Sequence, residues 1–376
     1  MPAIKKVVYL IGTGASHAEL KYHDSANTGI LMSDIVKGVF DSLRDNNEND
    51  VSLRELLNIL EDETNPYKNV DIESLITLYE ATGTAIDKER SNKLKKLFRE
   101  AIISRINKVT RSPGHPTLLS ALLDMHTISE LGEEIEAVVT LNYDNFVEDA
   151  YKNVYGAINY PFEVENKCPY DINNSLPPIC KLHGSFSWEN TNPVTIDCNL
   201  HEENEDKYLW VPPGVIKRNE HYPFSAIWGA ARKALKCDVL RIIGCSLSKN
   251  DWNLIALLHT TNRLRNVTSQ KYEIEFIDYP QPFNRVKKDF PYMEKLKGPV
   301  EIVEFQTYIK NERSIEYNTY NGETEYEKQI NWLGDSNKLS INIFEEWLRA
   351  KAYYLKIVQG KDVSTEKGLF KNFMLG

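Results

Sequence analysis

Two polar residues stand two positions apart at the end of an apolar run. Asn142 and Asp144 follow Ala137-Val138-Val139-Thr140-Leu141. A β-branched apolar run that stops at Asn-Tyr-Asp reads as a buried strand delivering polar side chains to its carboxyl end. Alternate side chains of an extended chain share a side, so Asn142 and Asp144 face one cavity if the strand persists that far. An amide can orient a water or a ribose hydroxyl. A carboxylate can hold a carboxamide or steady a developing positive charge. Asp144 has a second reading, as the cap of the following helix. Asn142 has no such alternative. His183 ends another apolar run, Ile179-Cys180-Lys181-Leu182, and precedes Gly184-Ser185. An imidazole there can serve as a general base near neutral pH, although a lone histidine is more often structural.

Two further strand ends carry small residues. Val7-Val8-Tyr9-Leu10-Ile11 runs into Gly12-Thr13-Gly14-Ala15-Ser16. Glycines after a strand let backbone N–H groups approach a pyrophosphate. The ordinary dinucleotide fingerprint wants Gly or Ala three residues after Gly14, and His17 is there instead. A tight strand-to-helix turn is the plain alternative. Ile242-Ile243 runs into Gly244-Cys245-Ser246, which suits close approach of an adenosine or phosphate; the alternative is packing before a helix capped by Asn250 or Asp251. Asp278, after Phe276-Ile277, is a candidate for a ribose hydroxyl.

Strands and helices must bring these residues together. Strand-like runs at 5–11, 137–141, 179–182, 239–243 and 273–277, with a further one at 300–305, alternate with helical patterns. That alternation predicts a parallel sheet whose crossovers are right-handed and whose polar strand ends share one edge. Helical spacing is expected at Gly29–Leu43, Val51–Leu60, Ile72–Tyr79, Ala85–Val109 and Pro116–Leu131, with Ser112-Pro113-Gly114 breaking the last two. Further helices are expected at 145–151, 224–235, 251–264 and 344–357. Residues 17–28, 188–206 and 308–338 are polar and read as loop.

The totals exclude several classes. The chain has 376 residues, 41% apolar and 26% charged, an ordinary globular composition. A net charge of -9 does not advertise nucleic-acid binding. The basic run from Lys88 to Arg111 reads as a solvated helix face. No apolar run approaches the roughly 20 residues of a membrane-spanning helix. The five cysteines lack Cys-x-x-Cys spacing, so free thiols in a reducing cytoplasm are expected, and no metal site. No Gly-x-x-x-x-Gly-Lys-Ser/Thr run is present, so the chain is not itself a P-loop ATPase.

Taken in order, Gly-Thr-Gly-Ala-Ser, Leu-Asn-Tyr-Asp, Lys-Leu-His-Gly-Ser and Ile-Gly-Cys-Ser-Leu resemble the motif series of the sirtuin superfamily. The resemblance is closest to its bacterial sirtuin-like NADase branch of anti-phage defence. There the motifs read roughly Gly-Ala-Gly-Ala-Ser, Thr-Asn-Tyr-Asp, Leu-His-Gly and Gly-Tyr-Ser-Leu. The resemblance implies an α/β fold with a doubly wound, mostly parallel Rossmann-like sheet of sirtuin type; the strand-poor block between its first two strands reads as a helical insertion. It implies NAD+ as substrate. Gly12, Thr13, Gly14, Ala15 and Ser16 would line its pyrophosphate and ribose, and Gly244 and Ser246 its adenosine side. Asn142 and Asp144 would serve the nicotinamide ribose, and His183 would be the base. Two departures bear on the chemistry. The four-cysteine zinc module of protein-deacetylating sirtuins has no counterpart. Their Gly-Ile-Pro-Asp-Phe-Arg run is replaced by Gly29-Ile30-Leu31-Met32.

The expected activity is therefore cleavage of NAD+ to nicotinamide and ADP-ribose by a cytoplasmic enzyme. It would be regulated, as a homo-oligomer or with a HerA-type hexameric ATPase partner. The alternatives are a non-catalytic sensor of NAD or ADP-ribose and a zinc-free deacylase. The expected organisation is an NAD-binding α/β domain over 1–40 and 133–310, a helical insertion over 41–132, and a C-terminal extension over 311–376.

Overall fold

The computed structural model describes residues 4–26, 29–45, 71–109, 116–128, 131–200, 207–214, 220–268, 273–278, 288, 299–301, 344–345, 347–349, 351–352 and 368–375. Its central sheet has six strands. They are β1 (Lys5–Ile11), β2 (Glu133–Thr140), β6 (Ile179–Lys181), β10 (Val239–Ile243), β11 (Glu273–Ile277) and β12 (Pro299–Glu301). The spatial order is β12-β11-β10-β1-β2-β6, and every pairing is parallel. The first strand thus lies in the middle, the next two to one side and the last three to the other. That is the doubly wound order, and it opens a crevice where the winding reverses, at the carboxyl ends of β1 and β10. Val7 to Ile11 and Val239 to Ile243 are all buried, because helices cover both faces of the sheet.

The helices are α1 (Thr13–His23), α2 (Met32–Asp45), α3 (Ile72–Thr82), α4 (Ala85–Asn107), α5 (Leu118–Asp124), α6 (Phe146–Tyr155), α7 (Phe224–Ala234), α8 (Trp252–Thr268) and α9 (Leu369–Leu375). Helices α2 to α5 lie between β1 and β2 in the chain. Asp71 and Thr84 cap α3 and α4, accepting from the Ser74 and Asp87 amides at 2.9 and 3.1 Å. Two arginines of the basic run on α4 are engaged within the fold. Arg99 is buried, with its guanidinium over the rings of Phe186 and Tyr208, and Arg105 donates to the Asp34 carbonyl at 2.8 Å. Toward the C-terminus, Trp347 packs over the Arg241 guanidinium. The Phe370 amide donates to Asp124 at 2.7 Å, which ties α9 to α5.

Several expectations need correction. The stretch read as loop from His17 is helical to His23. Seven successive residues of α1, from Gly14 to Leu20, are buried, so the helix carries no polar face for a period to reveal. The helix expected to reach Leu131 stops at Asp124 and tightens into a 3-10 turn, Met125–Thr127. The loop expected over 188–206 contains strands. β7 (Gly184–Glu189), β8 (Val194–Ile196), β4 (Val164–Asn166) and β9 (Tyr208–Trp210) form a second sheet in the order β4-β8-β7-β9. β3 (Ala157–Ile158) and β5 (Asp171–Ile172) form a two-stranded pair. The all-thiol expectation fails for two cysteines, since Cys168 and Cys198 form a disulfide; Cys180, Cys237 and Cys245 are buried and not disulfide-bonded. The expectations for 51–60, 112–114, 302–305, 308–338 and 353–357 lie outside the described residues.

Candidate active site

Three glycines build the floor of the crevice. The Gly12 amide donates to the Ile243 carbonyl at 2.9 Å, and the Gly14 amide to the Gly244 carbonyl at 2.8 Å. A Cβ on Gly12 would lie 2.5 Å from the Gly244 oxygen, and one on Gly14 2.7 Å from the Gly244 Cα. Gly244 itself has φ +56°, and its Cβ would lie 2.4 Å from the Ala15 nitrogen. The two loops therefore interlock backbone to backbone, which only glycine allows. Gly12 caps α1 without a side-chain hydrogen bond, and no acid stands in the first turn. The positive end of the α1 dipole faces the crevice.

Asn142 sits beside this floor. Its Nδ2 donates to the Gly12 carbonyl at 3.0 Å and to Ser16 Oγ at 2.8 Å. With both donor directions engaged, Oδ1 is fixed as an acceptor. It is buried and has no hydrogen-bond partner among the described residues. Ser16 also bonds the Asp144 carboxylate, and Asp144 Oδ1 accepts from the Phe146 amide at 3.1 Å. Asp144 thus makes a capping contact at the start of α6 and still lines the cavity. Burial pushes its carboxyl up, against the opposing charge of Lys181. Behind it Lys181 pairs with Glu148 at 2.8 Å and donates to the Asp144 carbonyl. Glu148 also accepts from the Tyr160 hydroxyl at 2.7 Å. Glu19, on α1, accepts from the Thr117 amide at 3.0 Å and from the Leu119 amide, and burial pushes its carboxyl up to about 8.

His183 is placed by the switch from one sheet to the other. The Leu182 amide donates to the Thr140 carbonyl at 2.9 Å, and the Val211 amide to the His183 carbonyl at 2.8 Å. The Trp228 indole donates to the Leu182 carbonyl at 3.1 Å. Gly184 then turns at φ +76°, where a Cβ would lie 2.3 Å from the Leu209 oxygen. This turn lets β7 leave the parallel sheet and holds the imidazole at the rim of β6. The His183 side chain is 6% exposed, and Nε2 is 3.4 Å from Asp251 Oδ1 without hydrogen-bond alignment. The Tyr143 ring lies beside it, centroids 6.3 Å apart, and stacks on Phe186.

One cavity of about 970 Å³ joins these groups. Gly12, Thr13, Gly14, Asn142, Asp144, His183, Gly244, Ser246 and Asp278 all line it. Ala15 and Ser16 do not. Ala15 packs under Gly244, and Ser16 holds Asn142 and Asp144 from behind. The sequence reading missed the opposite wall, formed by Ile30, Ile35, Val39 and Phe40 around α2 and by Asp71, Ile72, Glu73 and Leu75 on and before α3. It also missed Asp251 as a lining residue, having read it only as a helix cap. Its signal was the offset from Gly244-Cys245-Ser246, which puts an acid at the end of the same loop. Among the described residues no group of three His, Cys, Asp or Glu side chains is arranged to hold a metal, and no helix is long and apolar enough to cross a membrane.

Residues 136–289 match the family model of the SIR2-like domain. Comparison with curated proteins gives no match. Among solved structures the chain is similar to a Sir2 homologue in complex with NAD, at 15% identity and TM-score 0.35, over 73% of this chain and 78% of that one. It is similar to a Sir2 homologue mutant in complex with ADP-ribose, at 12% identity and TM-score 0.34, over 72% and 79%. It is also similar to a Sir2 protein bound to a propionylated peptide, at 14% identity and TM-score 0.31, over 72% and 81%. At that level of superposition the likenesses carry no weight for function. The stretch 136–289 thus matches a SIR2-like domain and lies within a doubly wound α/β fold.

Proposed function

We propose that the protein is an NAD+ glycohydrolase, cleaving the bond between nicotinamide and ribose. One observation carries this reading. Asn142 Oδ1 is a buried polar atom without a hydrogen-bond partner among the described residues, and Asn142 and His183 both line the cavity at the strand-order reversal. Burying such atoms unsatisfied costs free energy, and a ligand that supplies the missing contacts offsets it. The SIR2-like match and the motif series make NAD+ the ligand of choice.

In this reading the pyrophosphate lies on the glycine floor and the open end of α1. Asn142 Oδ1 accepts from a ribose hydroxyl or from the attacking water. His183 takes the proton as the water oxygen bonds to the anomeric carbon. The bond to the pyridine nitrogen breaks, and nicotinamide leaves with the electron pair. The transition state resembles an oxocarbenium ion, as in other glycosidic cleavages. Asp144 supplies negative potential near the developing charge. The products are nicotinamide, ADP-ribose and a proton.

The direct test incubates purified protein with NAD+ and follows free nicotinamide. Release that stops in His183→Ala supports the reading. Binding without release under every condition favours the NAD or ADP-ribose sensor, and release only with acyl-lysine peptide favours the deacylase. The same assay with NADP+ fixes the nucleotide preference. The motif resemblance further supports a cytoplasmic, NAD-depleting role in anti-phage defence, as a homo-oligomer or with a HerA-type ATPase. Native mass measurement with and without that ATPase tests the assembly.

A further inference from the structure

The glycosidic reading leaves one buried carboxylate at the site without a role. Asp251 closes the loop that begins at Gly244. Its amide donates to the Ser248 carbonyl at 3.0 Å, and its carbonyl accepts from Ile255 at 3.0 Å in the first turn of α8. Within the loop Leu247 takes a left-handed φ of +46°, a conformation that a branched side chain adopts only when its surroundings impose it. The neighbouring Asn250 Nδ2 donates to Glu73 Oε2 at 2.8 Å, which fastens the loop to the start of α3. The Asp251 side chain is therefore delivered by a fixed backbone. It is 6% exposed, as is that of His183, and the two meet at 3.4 Å. His183 is otherwise flanked by the Tyr143 ring, which brings no charge.

Resting on the NAD+ cleavage reading, we infer that Asp251 is a positioning residue that sets the tautomer and orientation of His183. The carboxylate takes the proton on Nε2 as its hydrogen-bond donor. The lone pair then stands on Nδ1, and that nitrogen accepts the proton from the water or ribose hydroxyl. Proton transfer converts the imidazole to an imidazolium beside this carboxylate, which stabilises the charge as it forms. The gap of 3.4 Å closes to hydrogen-bond distance in the substrate complex, since such contacts tighten as substrate fills the site.

The test uses the full chain and NAD+, with ADP-ribose as a non-reacting ligand. Asp251→Asn keeps the shape, removes the charge and presents an amide N–H to Nε2, favouring the wrong tautomer. Its kcat is expected to fall about ten- to a hundredfold, the usual effect of removing a group that orients another. KM for NAD+, the ADP-ribose Kd by calorimetry and Tm should stay near wild type. Asp251→Ser removes the charge with a residue type suited to the position before a helix, so it separates folding from charge, and it should show the same loss. In a His183→Ala background either substitution should cost nothing further, because the residues act as a unit. Wild-type kcat in Asp251→Asn overturns the inference, and so does a loss that tracks Tm and ADP-ribose affinity. Losses that multiply in the double variant overturn it as well. If wild-type protein releases no nicotinamide at all, the NAD+ reading itself fails and takes this inference with it.

Discussion

Two buried polar clusters sit on the same sheet and are built on opposite terms. One spans β1, β2, β10 and β11. Arg241 makes a bidentate pair with Glu133 at 2.7 and 2.8 Å, donates to Glu275, and donates to the Tyr9 hydroxyl at 3.0 Å. His126 Nε2 meets that hydroxyl at 2.6 Å, and Lys351 lies 3.4 Å from Glu133. Burial works against ionisation of Glu133, but the charges of Arg241 and Lys351 outweigh it and hold the carboxyl well below the usual range. The other cluster lies at the carboxyl ends of β2 and β6. There Asn142 is locked by two donated bonds, yet its acceptor is left open, and His183 Nε2 faces Asp251 without a formed bond. Closed pairing serves stability, while open valence is what a reacting ligand needs.

Substitutions should therefore separate activity from stability in opposite senses. The largest effect belongs to the open cluster. Asn142→Ala and His183→Ala should each lower nicotinamide release by about two to four orders of magnitude, with Tm close to wild type in His183→Ala. A steady-state assay beside a thermal melt reads both. In the closed cluster, Arg241→Met strands Glu133 and Glu275 in the interior. It should cost about 3–5 kcal/mol in denaturant unfolding, while the protein that remains folded turns over at a normal kcat. Reversal of these two outcomes would break the contrast. Between them stands the glycine floor. Gly244→Ala meets the Ala15 nitrogen and a left-handed φ at once. It should cost roughly 1–3 kcal/mol of strain and weaken nucleotide binding through displacement of Gly12 and Gly14, seen as a raised Kd for ADP-ribose.

The contrast also explains what the sequence discloses. The closed, apolar parts were legible. The bounds of β10 and β11 follow from the runs Val239–Ile243 and Glu273–Ile277, where apolar residues favoured in strands outnumber Arg241, Glu273 and Glu275. The strand ends that carry Asn142, His183 and Gly244 were legible for the same reason, as the points where those runs stop. Helix α1 was not, since Ser16, His17 and Glu19 are buried polar residues whose partners lie far off in the chain. Nor were β7 and β8, where Ser185, Ser187, Glu189 and Thr195 are buried in short strands and look like loop. Asp251 reads locally as a cap. Its distance to His183 depends on how α8 is docked, which no local pattern encodes.

The smallest effect concerns pH, and it probes the closed cluster through His126. Burial pushes this imidazole down to about 3, with the Arg241 charge acting in the same direction. The unfolded chain takes up the proton near pH 6.5, so between about 6.5 and 3 the unfolded state binds more protons than the folded one. Stability is then full above the unfolded value and declines as pH falls, by about 1 kcal/mol over the first unit below 6.5. Glu19 acts in the opposite sense. Its folded value of about 8 lies above the unfolded one, so its contribution is present at low pH and is lost as pH rises through 8. The two overlap between the unfolded carboxyl value and 6.5, and a raw pH curve would hide both. The informative quantity is the difference between wild type and His126→Gln, in which the amide keeps an acceptor for the Tyr9 hydroxyl but does not titrate. In urea titrations the variant should gain on wild type step by step from pH 6.5 to 5.5. A parallel pair of curves over that interval would mean that His126 is protonated in the folded state, and that the Arg241 cluster is less closed than its geometry indicates.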